Sequence, residues 1–287
     1  MTPGRRGATW LVVVPPLAWL LLFFVVPLGL IGAYSLRAGS GAIAPDAPWI
    51  LSFEQFAEVL GTPAFLRLLG VSVLVAAIVA GLATLAAFPI AYFLTFRAGR
   101  RAPLYLTLLL IPFAVSYLLR VMAWKLMLGP EGAINSLLAT VGLTDEPVAL
   151  LLYSRPAVVV TLVYVWIPFA TLPIYAAMQR IQRGQLEAAA DLGAGPWSRF
   201  ARVTLPLSLP GAIASFFMVF IPTVGEYVTP SLVGGPDGIM YGNIIQGFFT
   251  RSANWSQGAA MAMLMLLLTS LLVIVALALL RRRGVFA

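Results

Sequence analysis

Six stretches of this chain are each apolar for long enough to cross a bilayer, whose hydrocarbon core of roughly 30 Å takes about 20 helical residues. They run approximately from Trp10 to Leu36, Phe65 to Phe96, Pro103 to Leu128, Ser154 to Met178, Leu207 to Val228 and Gln257 to Leu280. In hydrocarbon every backbone N–H and C=O must be satisfied within the segment, so runs of this length are predicted to be helices. The fold class that follows is an all-α membrane protein with six transmembrane helices. The first run follows Arg5 and Arg6 as a signal peptide would. It is too long for one, contains Pro15, Pro16 and Pro27, and shows no clear cleavage site, so it is read as a retained span. No linker, low-complexity tract or internal repeat interrupts the pattern, and residues 1–287 are read as a single transmembrane domain.

Composition removes several function classes. Only 10% of the 287 residues are charged, where a soluble domain carries roughly 25%. There is no cysteine and no histidine, which excludes thiol catalysis, disulfides and nitrogen or sulfur metal sites. The ten acidic residues form no cluster that would make a carboxylate metal site, so no metal and no catalytic constellation are expected. The net charge of +8 would suggest nucleic acid in a soluble protein, but its distribution points to a lipid bilayer instead. With the N-terminus inside, the cytoplasmic stretches hold 12 of the 18 basic residues, including Arg97, Arg100, Arg101, Arg180, Arg183, Arg199, Arg202 and Arg281 to Arg283. Of the ten acidic residues only Glu187 and Asp191 fall on that side. This is the positive-inside distribution. It predicts that both termini and the connection at about 179–206, between spans four and five, are cytoplasmic.

That connection is dense in helix formers from Arg180 to Leu192. Gly193 can take the left-handed conformation that closes a helix, and Pro196 suits the first turn of the next. A helix-turn-helix is therefore expected, with Ala188, Ala189 and Ala190 leaving part of its first helix nearly bare. On the other side of the membrane, Ser52 is expected to cap a short helix with Gln55 as its reciprocal partner. A second short helix is expected over Ala133 to Val141.

One carboxylate lies inside an apolar span. Glu226 sits between Gly225 and Tyr227, one turn after Pro222. Broken helices at membrane depth line protein or water, and ionisable residues there are functional candidates. Two readings stay open: Glu226 faces a solute path, or it forms a salt bridge with Arg120 or Lys125. Trp124, Trp166, Tyr164 and Tyr227 are either aromatic faces along such a path or interfacial anchors. Glu131 and Asp237 lie in Gly/Pro-rich turns.

Glu187-Ala188-Ala189-Ala190-Asp191-Leu192-Gly193, followed after nine residues by Val203-Thr204-Leu205-Pro206, resembles the cytoplasmic signature loop of ABC-importer permeases. The resemblance implies a type I importer permease fold whose hairpin enters a groove of an ATPase subunit. Glu187, Ala188, Ala189, Asp191, Gly193 and Pro206 are the implied coupling positions. Phe220 to Pro230, Leu232 to Pro236, Gly242-Asn243, Asn254-Trp255, Leu118 to Gly129 and Trp166 to Phe169 are similar to spermidine/putrescine importer permeases. This implies a polyamine substrate, whose ammonium groups carboxylates and aromatic faces attract. The implied path residues are Glu226, Tyr227, Trp124, Trp166 and Arg120.

The same resemblance implies a second homologous permease subunit, two ATPase subunits and a periplasmic solute-binding protein, in a bacterial inner membrane. ATP and Mg would sit on the ATPase, since this chain has no Gly-x4-Gly-Lys-[Ser/Thr] motif; no cofactor of its own is expected, and the chain is a transporter subunit rather than an enzyme. Arg120, Lys125 and Arg155 leave room for another small solute, including an anion. A stand-alone secondary transporter is the remaining alternative, though it would need no docking hairpin.

Overall fold

A computed structural model describes residues 13–39, 49–144, 146–148, 151 and 153–282; Arg5, Arg6 and Arg283, which enter the charge distribution, lie outside them. Among the described residues no strand forms beyond an isolated bridge between Arg37 and Leu51. The helices are α1 (Val13–Ser35), α2 (Glu54–Gly61), α3 (Pro63–Phe96), α4 (Ala102–Leu110), α5 (Tyr117–Leu128), α6 (Ala133–Thr140), α7 (Arg155–Met178), α8 (Arg183–Asp191), α9 (Pro196–Val224), α10 (Tyr241–Thr250) and α11 (Trp255–Arg282). Five of these, α1, α3, α7, α9 and α11, are long and apolar enough to cross a membrane singly.

The third apolar run departs from the single helix expected over Pro103 to Leu128. It is a bent pair, with 86° between the segments Gly99–Ala114 and Tyr117–Thr140, and it supplies the sixth span only when the two are counted together. Pro112 is the cause. It has no N–H to continue the ladder and its ring crowds the carbonyl four residues earlier. The helix tightens into a 3-10 turn over Ile111–Ala114 and goes extended at Val115 and Ser116. The fifth span also differs: it begins at Pro196 rather than Leu207, so the second helix of the expected hairpin and the span are one element. A π turn at Phe200–Thr204 precedes Pro206, whose missing N–H leaves the ladder free to widen.

Contacts divide the chain into two units. In the first, residues 1–66 and 244–268, Tyr34 packs on Trp49 and Trp255 with ring centroids 5.4 and 6.1 Å apart. Gln257 Nε2 donates to Glu58 Oε1 at 2.9 Å and is itself buried. Ser52 Oγ accepts the Glu54 N–H at 3.0 Å. Gln55 does not complete the reciprocal cap, because its side chain is buried and donates to the Gly39 carbonyl at 3.1 Å. The α1 span buries none of its apolar window.

In the second unit, residues 67–243 and 269–287, α7 packs along α9. On α3, Ala76, Ala80, Ala83, Ala87 and Ala91 are fully buried. Their spacing puts them on one face, where small side chains let neighbouring backbones approach. Thr84 Oγ1 meets Ser215 Oγ of α9 at 3.3 Å. The approach of α7 to α9 is closer still. A Cβ on Gly211 would lie 2.5 Å from Ala177 Cβ and 2.6 Å from the Pro173 carbonyl oxygen, so no larger residue fits without separating the helices.

Candidate functional site

Local rules build the hairpin. Gln182 and Gln185 form a capping box, each side chain accepting from the other's backbone N–H at the start of α8. The helix therefore starts at Arg183 rather than Arg180. At its end Gly193 has φ +81°. The Gly193 N–H donates to the Ala190 carbonyl at 2.8 Å and the Ala194 N–H to the Ala189 carbonyl at 3.0 Å, which together make the Schellman closure of a helix. Pro196 then opens α9. No residue of α8 is buried: Glu187, Ala188, Asp191 and Gly193 are exposed, Ala189 is half-buried, and Pro206 on α9 is exposed. Leu192 and Trp197 are 89% and 77% exposed. An exposed helix with a bare alanine face, followed by an uncovered Leu192, has the character of a protein-interaction surface.

The second group of candidate residues meets beyond the other end of α9. The helix stops at Val224, and the Glu226 carboxylate accepts N–H bonds from Val228 at 2.8 Å and Thr229 at 3.1 Å through Oε1. Glu226 thus caps the helical turn that runs into Pro230–Gly234. Two N–H donors at a helix start are favourable partners for a carboxylate. Neither Arg120 nor Lys125 forms an ion pair with it within 4.0 Å. The Tyr117 hydroxyl, 2.6 Å from Thr229 Oγ1, is the common electrostatic neighbour of Glu226 and Arg120.

Arg120 is buried, its guanidinium 4.9 Å from the Phe113 ring centroid and 5.9 Å from that of Tyr117. Cation–π contact replaces a carboxylate there, and the Arg120 Nε has no hydrogen-bond partner. The ring contacts continue from Phe113 to Phe169 at 4.3 Å and from Phe169 to Trp166 at 5.8 Å. Trp166 Nε1 is likewise buried without a partner. Trp124 packs on Tyr164 at 5.2 Å, and Lys125 lies 5.8 Å from the Tyr153 ring. Tyr227 is 44% exposed.

The structure therefore joins Glu226, Arg120 and Trp166 through Tyr117, Phe113 and Phe169. Trp124 shares α5 with Arg120 but packs elsewhere, and the Tyr227 ring stays outside. Sequence reasoning missed Tyr117, Phe113, Thr229 and the organising role of Asn243. The Asn243 Nδ2 donates to the Tyr227 carbonyl at 2.9 Å and to Ser231 Oγ at 2.7 Å, and its Oδ1 accepts the Met240 N–H at 2.9 Å. Beside it, burial pushes the Tyr241 phenol up to about 12, so it stays neutral. A usable signal was the polar Tyr117 immediately after the Pro112 break.

The profile of the family described as "Binding-protein-dependent transport system inner membrane component" matches residues 5–284, and the chain belongs to that family. It is the permease of a binding-protein-dependent ABC importer and a multi-pass inner-membrane protein. It is 32% identical to the spermidine/putrescine transport system permease protein PotB of Haemophilus influenzae, over 90% of this chain and 89% of that one. Against PotB of Escherichia coli strain K12 the identity is 30%, over 92% and 94%. A permease chain in the crystal structure of a bacterial alginate ABC transporter superposes with a TM-score of 0.76 at 16% identity, covering 97% of this chain and 96% of that one. An amino acid ABC transporter chain gives 0.52 at 18% identity, covering 79% and 97%. These two show the fold.

Proposed function

We propose that this permease carries a polyamine of the putrescine or spermidine type, and that the hairpin of α8 and the first turns of α9 docks into an ATPase subunit. The carrying observation is the identity of 32% and 30% to PotB chains over nearly the whole sequence. The aromatic surfaces and carboxylate around Tyr117 give a solute ammonium group suitable neighbours.

The assembly that fits is a second permease beside this chain, two ATPase subunits that hold ATP and Mg, and a periplasmic binding protein. One chain supplies one hairpin, and an ATPase dimer presents two grooves. The bare α1 suits lipid or the second permease. Both termini and the hairpin lie in the cytoplasm in this reading. The test is uptake of labelled spermidine and putrescine by the reconstituted complex, with calorimetry of both against its binding protein. Failure of both solutes to bind or enter would remove the polyamine reading. For orientation, Ser198→Cys introduces the only cysteine in the chain. It should resist an impermeant thiol reagent in intact cells and react in opened ones.

Arg120 supports a second reading, an anionic solute. A buried cation without a carboxylate partner is costly, and an anion in transit would relieve it. Binding of an organic anion, and of neither polyamine, by the binding protein would select this reading.

A further inference from the structure

On the flank of α9 facing α3 lies an open groove of about 650 Å³, lined by Leu85, Phe88, Pro89 and Tyr92 of α3 and by Trp197 and Phe200 of α9 among others. Its volume falls in the range of roughly 300–1,000 Å³ usual for small-molecule sites. The walls are ordered aromatic surface. Phe200 makes edge contacts with Phe88 and Tyr92, both at 5.9 Å between centroids, and stacks on Trp197 at 5.4 Å. Among the described residues none closes the mouth, since Leu85 and Trp197 are 69% and 77% exposed.

Position and charge select the occupant. Both walls belong to membrane-crossing helices, α3 near its C-terminal end and α9 near its start, so the groove opens at the edge of the bilayer. Immediately beyond α3 come Arg97, Arg100 and Arg101, all exposed, whereas Arg199 and Arg202 of α9 line a separate pocket with the end of α8. No acidic residue occurs in 85–101 or in 196–205. An apolar slot at the end of a membrane span, beside the arginines that follow α3, matches an acyl chain carrying an anionic headgroup.

We propose that this groove is a binding site for an anionic phospholipid, one acyl chain lying between Leu85–Tyr92 and Trp197–Phe200 and its phosphate held by the arginines that follow α3. A lipid seated there touches the first turns of α9, and so the hairpin responds to membrane composition.

The test uses the full chain, purified with its accompanying subunits and reconstituted in phosphatidylcholine vesicles doped with phosphatidylglycerol bearing a diazirine on one acyl chain. After irradiation, adducts are mapped by mass spectrometry. Adducts are expected in 85–92 and 196–205 in excess over the exposed lipid-facing positions Leu271 and Ile274 of α11. Arg97→Gln or Arg100→Gln should each lower groove labelling by about fivefold, the worth of one arginine near an anionic surface. Leu85→Trp, which narrows the slot at an exposed position, should remove the groove labelling and leave that of α11 unchanged. Equal groove labelling by diazirine phosphatidylcholine would overturn the headgroup assignment. Labelling no greater than on α11 would overturn the site. Benzoylphenylalanine at position 85 cross-linking to a second permease chain instead of lipid would show the groove to be a subunit interface and overturn the proposal.

Discussion

The hairpin is closed by backbone bonds that reach at most five residues, such as Ala194 to Ala189, whereas the cluster beyond Val224 depends on partners as far apart as Tyr117 and Thr229, 112 residues distant. The hairpin buries no residue of α8, and the cluster buries Arg120 and Thr229 almost completely. The difference separates two ways of being functional. A region that satisfies its own backbone and hides nothing holds its shape without neighbours and leaves its surface for a partner. A region assembled from three distant segments has shape only while the helices beneath it stay packed.

The comparison breaks first, and with the largest effect, at the contact both regions stand on. Gly211→Leu drives a side chain into Ala177 and Pro173. It should cost about 3 kcal/mol, the upper end for overpacking, and lower both membrane abundance and the unfolding temperature. Normal abundance and melting would show that the close approach of α7 and α9 is dispensable.

Next come changes confined to the hairpin. Glu187→Arg should leave abundance and melting nearly unchanged, and Gly193→Trp should lose about 1 kcal/mol of stability through the left-handed backbone at that position. In both, solute uptake should fall by about tenfold, equivalent to about 1.4 kcal/mol of docking. Uptake and ATPase co-purification are measured on the same preparation. Full uptake by both variants would remove the docking role.

A smaller effect is expected at the cap of the cluster. Glu226→Ala should lose about 1 kcal/mol of stability, as capping residues do, whereas Glu226→Gln keeps an acceptor oxygen for the Val228 and Thr229 N–H groups and should melt close to the parent. If the charge also serves the solute, uptake falls in both variants; wild-type uptake by Glu226→Gln would make the residue a cap alone. The smallest effect is expected from Tyr117→Phe, about 0.5–1.5 kcal/mol for one hydrogen bond. Pairing it with Thr229→Val should recover part of that loss, because both partners are then apolar.

How far the sequence reads follows the same division. The helix-turn-helix was legible because Gly193 and Pro196 act on their own neighbours. The start of α8 was misplaced, since Gln is a less familiar cap than Ser or Asp, and the continuity of the second helix with the fifth span was missed. The six apolar runs were legible from length alone. The break at Pro112 was obscured because hydropathy continues unchanged across it. The role of Glu226 was the hardest to see. A lone carboxylate in an apolar run suggests a charge partner, but two backbone N–H groups of the following turn take that place, and sequence spacing does not reveal which way the chain turns after Val224. Tyr117 and Phe113 were invisible as site residues because their partners come from other helices.

The continuity of α9 has one more consequence. Its 29 residues make a rod about 44 Å long at 1.5 Å per residue, with Trp197 at one tip and the turn capped by Glu226 just past the other. A hydrogen-bonded rod shortens little under load, so a push on the first tip arrives at the second as displacement rather than being absorbed on the way. It yields sideways only where its ladder is interrupted, at the π turn of Phe200–Thr204 and at Pro210 and Pro222. Stroke length would be set by how far these joints flex, and so by three short stretches of backbone rather than by either of the surfaces the rod connects.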